Sequence, residues 1–327
     1  MLLTSRRDKK VIVEELLNSQ NFSGEIPIVP IRKWGRWVSA IVIVGAFVAL
    51  VLALRHSQIV WGDVPKFFAY HTLIDGMFMT VELAIACQGL GIVLGVIIAI
   101  MRRSKNPVVS WCAWLYIYIF RGVPALLQLY IWYNLPLAFK TLGIPGIYSV
   151  PSLTVMTSFV AALLGLGLNE SAYYAEIVRA GFNSVDHGQV EAASSIGMKP
   201  SQTMRRVILP QAMRVVIPPT GNDFINMLKG TSLASVVAVQ ELMLRASNVY
   251  AANFRIMEAL MAAALWYMVL VSIASIGQHF IEKRFGGDQS NPSSMSLKRT
   301  MGRSFNPSRF IGRGSFGSAN RGTEGLV

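Results

Sequence analysis

The chain has 327 residues, of which 53% are hydrophobic and only 14% charged, with a formal net charge of +13. That composition is too apolar for an ordinary soluble domain of this size, and recurring long apolar stretches point to the bilayer as solvent. The basic excess would suit a nucleic-acid binder. Here it gathers beside apolar spans and in the tails, where membrane topology and anionic lipid explain it better.

In chain order, residues 1–36 are polar and basic, with Arg6, Arg7, Lys9, Lys10, Arg32, Lys33 and Arg36, and residues 11–17 suit a short helix. A first span is predicted over 37–54, between Arg36 and Arg55. It lies too deep and runs too long for a typical cleaved signal peptide, so it is read as retained. Span two is expected at about 77–101, before Arg102, Arg103 and Lys105. Span three falls within 111–139 and span four at about 152–169. A polar helical loop over 184–210 follows. Span five is expected at about 215–242, opened by Pro218-Pro219, and span six at about 257–281, before Lys283 and Arg284. Residues 286–327 are rich in Ser, Gly, Asn and Arg and read as disordered. The expected organisation is a basic tail over 1–36, an extra first helix with its external loop over 37–71, a core over 72–285, and a tail over 286–327.

Basic residues set the orientation. They crowd the N-tail, the loop after span two, the 184–210 loop (Arg205, Arg206 and Arg214 at its end) and the C-tail. The alternate loops carry only Lys66, Lys140, Arg245 and Arg255. An all-α membrane protein with six spans and both termini in the cytosol fits this asymmetry.

The 184–210 loop has the local chemistry of two helices. Asp186 suits an N-cap, with Gln189 completing a capping box. Ala192, Ala193, Ser194 and Ser195 are small enough to let another surface approach. Gly197 suits a left-handed helix end, and Pro200 suits the first turn of a second helix reaching about Ile208, with Pro210 as its stop. A solvated hairpin with no partner fits this spacing equally well.

A more specific pattern lies over it: Glu191-Ala192-Ala193, three residues, Gly197, nine residues, Val207, one residue, then Leu209-Pro210. This resembles the EAA loop of permease subunits in ATP-binding-cassette importers. Other strings extend the likeness to the membrane domain of polar amino-acid importers. They are RRSKNP (102–107), FRGVPALLQL (120–129), ESAYYAEIVRAG (170–181), GQVEAASSIG (188–197) and LKGTSLASVVAVQEL (228–242). RKWGRW (32–37) before an extra span resembles the longer members. Val123 and Ala125 stand where that family usually has Thr and Leu, and Gly230 where Asp is common. The resemblance implies a five-helix permease core plus one N-terminal helix, with Glu191, Ala192, Ala193, Gly197, Leu209 and Pro210 meeting an ATPase. It also implies two ATP-binding subunits, a second permease subunit (the same or a paralogue), an extracytoplasmic amino-acid-binding protein, and a bacterial inner membrane.

A charged side chain at mid-bilayer costs about 2.5–3.5 kcal/mol, so each one needs a reason. Asn222, Asn226 and Lys229 recur on one helical face, with Asp223 beside them and Thr231-Ser232 continuing the polar run past Gly230. Lys229 and the hydroxyls suit a substrate carboxylate, and Asp223 or Glu82 suits its ammonium. Interhelical polar packing accounts for the same residues. Glu170 and Glu176 follow span four, and pairing with Arg179 is the favoured reading for them. Arg121 sits either mid-membrane or at an interface, with the span then starting near Pro124.

The chain contains no phosphate-binding GxxxxGK[ST] loop, so ATP is expected on partner subunits and no cofactor in this chain. Cys87 and Cys112 show no metal or disulfide spacing, the four histidines are scattered, and no catalytic constellation stands out. A secondary transporter is the alternative. It requires interrupted helices in matching repeats, and only one interruption, near Lys229, is visible. A membrane scaffold is a third class.

Overall fold

The computed structural model describes residues 34–144 and 148–285. The predicted 11–17 helix, most of the basic N-terminal tail and the 286–327 tail lie outside the described residues. The chain divides into two compact units at Ile59/Val60.

In the first unit, helix α1 spans Trp34–Arg55. Its apolar window, Trp37–Arg55, is long enough to cross a bilayer, and none of that window is buried. A helix apolar on all sides is suited to a lipid surround.

The second unit is built around two long helices, α3 (His71–Arg102) and α8 (Ser158–Asn183). A short α2 (Val64–Phe68) precedes α3. Helices α4 (Pro107–Gly122) and α5 (Ala125–Tyr133) follow it, and α6 is the single turn Leu135–Ala138. Asn106 opens α4 by accepting the Val108 N–H at 2.9 Å, with Pro107 in the first turn. After α6 come an antiparallel pair, β1 (Thr141–Ile144) and β2 (Tyr148–Pro151), and the turn α7 (Ser152–Val155). The chain is mostly helical as expected, and this short strand pair is the local departure from an all-α chain among the described residues. Gly143, at φ 144°, and the Pro151 that closes β2 favour extended, turning backbone over helix in this stretch.

Small residues bring α3 and α8 together. A Cβ at Gly91 would meet Glu170, one at Gly95 would meet Tyr174 and Ser171, and one at Gly167 would meet Leu90. Close approach through glycine is how membrane helices gain packing where the hydrophobic effect is absent. The contacts advance together along both chains, so α3 and α8 run parallel. The helix α11 (Leu209–Gly230) packs on α8 in the opposite direction: Gly181 meets Val216 and Ala212, the Thr220 hydroxyl reaches the Tyr174 hydroxyl at 3.4 Å, and Leu166 shares a core with Met227. The last helix, α13 (Ile256–Phe285), runs back along α11, with the Gln278 amide donating to the Pro218 carbonyl at 2.8 Å.

Beyond Gly230 the backbone tightens into a 3-10 turn over Thr231–Val237 and then breaks at Ala238, which has a positive φ of 61°. Helix α12 (Leu242–Asn253) restarts 52° off the previous direction. Buried Glu241 holds that corner. Its carboxylate caps α12 through the Met243 and Leu244 N–H groups and accepts from the Tyr267 hydroxyl, each at 2.8 Å. The interruption expected near Lys229 is therefore present, but as a change of helix type followed by a capped corner.

Among the described residues three helices are long and apolar enough to cross a membrane: α1, α3 and α13. The number rises to at most five if each of two bent pairs is one span. The helix at the expected fourth span, α8, does not qualify by composition, because Asn169, Glu170, Ser171 and Glu176 interrupt it. Enclosed by α3, α5 and α11, it does not need a lipid-compatible surface on every side. Span three is not one straight helix either. Between Gly122 and Ala125 the chain turns by 101°, so α4 and α5 are separate segments, in keeping with a span that starts near Pro124. Pro218 and Pro219 lie inside α11 and do not open it.

Candidate coupling loop and polar pathway

Helix α8 ends at Asn183, with the Ser184 hydroxyl returning to the Gly181 carbonyl at 2.8 Å. Two residues later Asp186 accepts the Gly188 N–H at 2.6 Å and starts α9 (His187–Ser195). The N-cap forms at the Gly188 N–H, and the predicted capping box with Gln189 is not made among the described residues. A reversed pair of bonds closes α9: the Gly197 N–H donates to Ser194 O and the Met198 N–H to Ala193 O, each at 3.0 Å. That is the Schellman arrangement, and it requires a left-handed residue at its centre. Gly197 supplies it at φ 78°, in open space.

Helix α10 (Pro200–Thr203) follows, its start closed by the Lys199 N–H donating to the Gln202 side chain at 2.9 Å. The prediction that Pro210 stops this helix is overturned. The helix continues through a π turn, Met204–Ile208, directly into α11. Proline lacks an N–H and crowds the carbonyl one turn back. The wider turn, with the Leu209 N–H bonded to Met204 O, makes room for it.

Within the Glu-Ala-Ala triplet, Glu191 and Ala192 are exposed and Ala193 is buried, and exposed Leu209 and Pro210 open α11. The sequence reading missed Ile196, an apolar side chain 78% exposed at the tip beside Gly197. Its signal was an isoleucine inside an otherwise small and polar segment. Arg205 and Arg206, with Ser201 and Gln202, line a concavity of about 580 Å³. The loop thus presents small, apolar and basic groups outward on a rigidly capped frame.

The polar pathway residues divide into two sets. Asn222, Asn226 and Lys229 are exposed along one face of α11, as their spacing predicts, and Glu82 is exposed on α3. Thr231 is buried and satisfied by the Leu228 carbonyl at 2.8 Å; Ser232 bonds Lys229 O at 2.7 Å. These two hydroxyls are turned onto their own backbone and not toward a shared site.

Asp223 points the other way, into the bundle, where Oδ2 is buried without a partner among the described residues. Glu170, whose Oε1 is also buried and unpartnered, lies within electrostatic range of it. The pairing favoured for Glu170 is not formed. Arg179 instead bonds Glu176, through Nε at 2.9 Å and Nη2 at 2.6 Å. An offset of three residues places 176 and 179 on adjoining turns, whereas Glu170 lies more than two turns away from Arg179. Gln88 is buried too, with neither amide atom bonded, and stands one turn from the Gly91 that contacts Glu170. Three elements thus direct unpaired polar atoms into one region of the bundle. Among the described residues no group of His, Cys, Asp and Glu has metal-holding geometry.

Comparison with known proteins sets this arrangement in a family. Residues 91–287 match the model of the binding-protein-dependent transport system inner membrane component. The arginine transport system permease protein ArgU of Corynebacterium glutamicum is 41% identical over 259 residues, covering 78% of this chain and 82% of the relative. The probable amino-acid permease protein YxeN of Bacillus subtilis is 43% identical over 215 residues, covering 66% and 92%. A crystal structure of an amino acid ABC transporter with histidines superposes with a TM-score of 0.61 at 33% identity, covering 70% of this chain and all of that one. An inward-facing MetNI methionine ABC transporter, at 17% identity and a TM-score of 0.53, shares the fold. The chain belongs to the family of inner-membrane components of binding-protein-dependent transport systems, and within it to the amino-acid permeases.

Proposed function

We propose that the chain is one membrane subunit of an ATP-driven importer whose cargo is a cationic amino acid. As a permease subunit it is not an enzyme, and ATP is used by separate partner subunits. The observation that carries the choice of cargo is the half-buried Glu170 and Asp223, each with one carboxylate oxygen buried and unpartnered among the described residues. Two carboxylates within electrostatic range in a low-dielectric site repel, and a guanidinium or ammonium held by both relieves that repulsion. The name of the C. glutamicum relative, an arginine permease, agrees with this reading.

The full assembly follows the sequence expectation: six spans with both termini cytosolic, in a bacterial inner membrane. Two such chains, identical or paralogous, pair around a shared axis. Two ATPases meet the α9–α10 loops, and an amino-acid-binding protein docks on the opposite face. Glu191, Ala192, Ala193, Gly197, Leu209 and Pro210 form the ATPase contact. The exposed Asn222, Asn226 and Lys229 face turns toward the pathway between the two permeases. What supports the orientation is the gathering of Arg102, Arg179, the capped loop and Lys283-Arg284 at one end of the helical bundle.

The test is uptake by the complete transporter in liposomes with its binding protein. Arginine or lysine should drive transport and stimulate ATP hydrolysis. Glu170→Gln and Asp223→Asn should each lower that stimulation about tenfold or more while leaving basal ATP hydrolysis in place. A preference for acidic cargo, or unchanged arginine transport in both variants, refutes the cationic assignment.

A further inference from the structure

A polar groove lies away from the Glu170–Asp223 pair. It is a groove of about 600 Å³ between α4 and the ends of α3 and α8, lined by Arg102, Arg121, Arg179 and Glu176 together with the aromatic rings of Trp114, Tyr118 and Tyr173. Three guanidinium groups thus face one carboxylate. Glu176 is already engaged by Arg179. Arg102 is fixed by its Nη1 donating to the Ser110 hydroxyl at 2.9 Å. Arg121 makes no ion pair among the described residues; its guanidinium lies 4.9 Å above the Tyr173 ring. That contact holds the Arg121 guanidinium against the ring at the groove wall with its charge unpaired, and a planar fork of N–H donors suits bidentate oxyanion recognition.

The surroundings say which oxyanion. Helix α4 turns away from α5 by 101°, and its outward side carries Trp111 (58% exposed), Trp114, Tyr118 (65% exposed) and Val108. Trp114 and Tyr118 stack at 5.4 Å. Exposed Trp and Tyr on a helix beside basic residues mark the headgroup level of a bilayer. The groove also sits at the end of the bundle where Arg102, Arg103 and Lys105 gather, the side on which anionic lipid attracts cations.

We infer that this groove binds the phosphate of an anionic phospholipid, with Arg121 and Arg102 holding the phosphate oxygens and Trp114 and Tyr118 lying against the glycerol and upper acyl region. The ligand chemistry is a phosphate ester beside apolar carbon. Occupancy ties α4 to the ends of α3 and α8 at the membrane surface.

The test uses the whole transporter, ATPases included, exchanged into detergent with phosphatidylglycerol or phosphatidylcholine and analysed by native mass spectrometry. The unmodified protein should retain phosphatidylglycerol about tenfold or more over phosphatidylcholine. Arg121→Gln should abolish most of that preference, and Arg121→Lys should keep part of it. Equal retention of the two lipids by the unmodified protein overturns the inference, as does an unchanged preference in Arg121→Gln. A groove covered by a second copy of the chain gives the first of these results. Inorganic phosphate forms a separate arm. If it displaces phosphatidylglycerol at millimolar concentration and shields the groove alone, the source is a free anion and the lipid assignment fails. If Arg121→Gln does not assemble, the comparison of lipids on the unmodified protein decides.

Discussion

The side-chain amide of Gln278, on α13, occupies the space that a Cβ at position 221 of α11 would need. Gln278 cannot leave without loss, because its Nε2 donates to the Pro218 carbonyl at 2.8 Å and to Glu282 at 2.9 Å. Gly221→Ala should therefore destabilise the α11–α13 contact by about 1–3 kcal/mol, read as a lower melting temperature of the purified complex. Gly221→Ala combined with Gln278→Ala should recover part of that loss, because the double variant removes the overlap. A single variant with unchanged melting temperature shows that the two helices do not meet here.

Gly197 is the centre of the Schellman closure of α9, and a β-branched residue there is strained at φ 78° although nothing crowds it. Gly197→Val should leave the chain inserted and assembled yet reduce substrate-stimulated ATP hydrolysis severalfold. Gly197→Asn, which tolerates the left-handed region, should stay near the unmodified level. Equal damage from both variants would argue that bulk, and not backbone geometry, is what the loop cannot accept.

Ile196 offers a direct probe of docking. It is exposed, and removing its side chain costs the folded chain little. Ile196→Asp should weaken co-purification of the ATPase about tenfold or more, by placing an unpaired charge in an apolar contact. Full recovery of the complex with this variant would mean the α9 tip lies outside the contact.

Lys229 stands on the exposed face of α11 with Asn222 and Asn226. Lys229→Ala should lower the response to substrate without changing the melting temperature of the complex by more than a degree or two, since no bond to it is lost within the chain. A large fall in stability with an intact transport rate would instead make Lys229 a packing residue between subunits.

Much of this was legible in the sequence because local chemistry dominates there. The Asp186 cap, the Gly197 helix end and the α10 start at Pro200 depend on residues within four positions of one another, and all three appear where the sequence places them. The Asn222, Asn226 and Lys229 face follows from helical periodicity alone. What escaped depends on partners distant in sequence. The Glu176–Arg179 pair, three residues apart, was legible, but nothing near Glu170 tells that Asp223 arrives on an antiparallel helix. Pro210 was misread because a proline after a short helix ordinarily ends it. The π turn that preserves continuity is a cooperative property of the packed α11, not of the residues beside the proline.

That unbroken backbone from Pro200 to Gly230 has a mechanical meaning. A loop at Pro210 would act as a joint and let the α9–α10 segment swivel freely. A continuous rod of ~45 Å instead turns as one body, so a few degrees imposed at Thr203 must reappear around Asp223. The extra residue in the π turn sets the angular phase between the two ends of that lever.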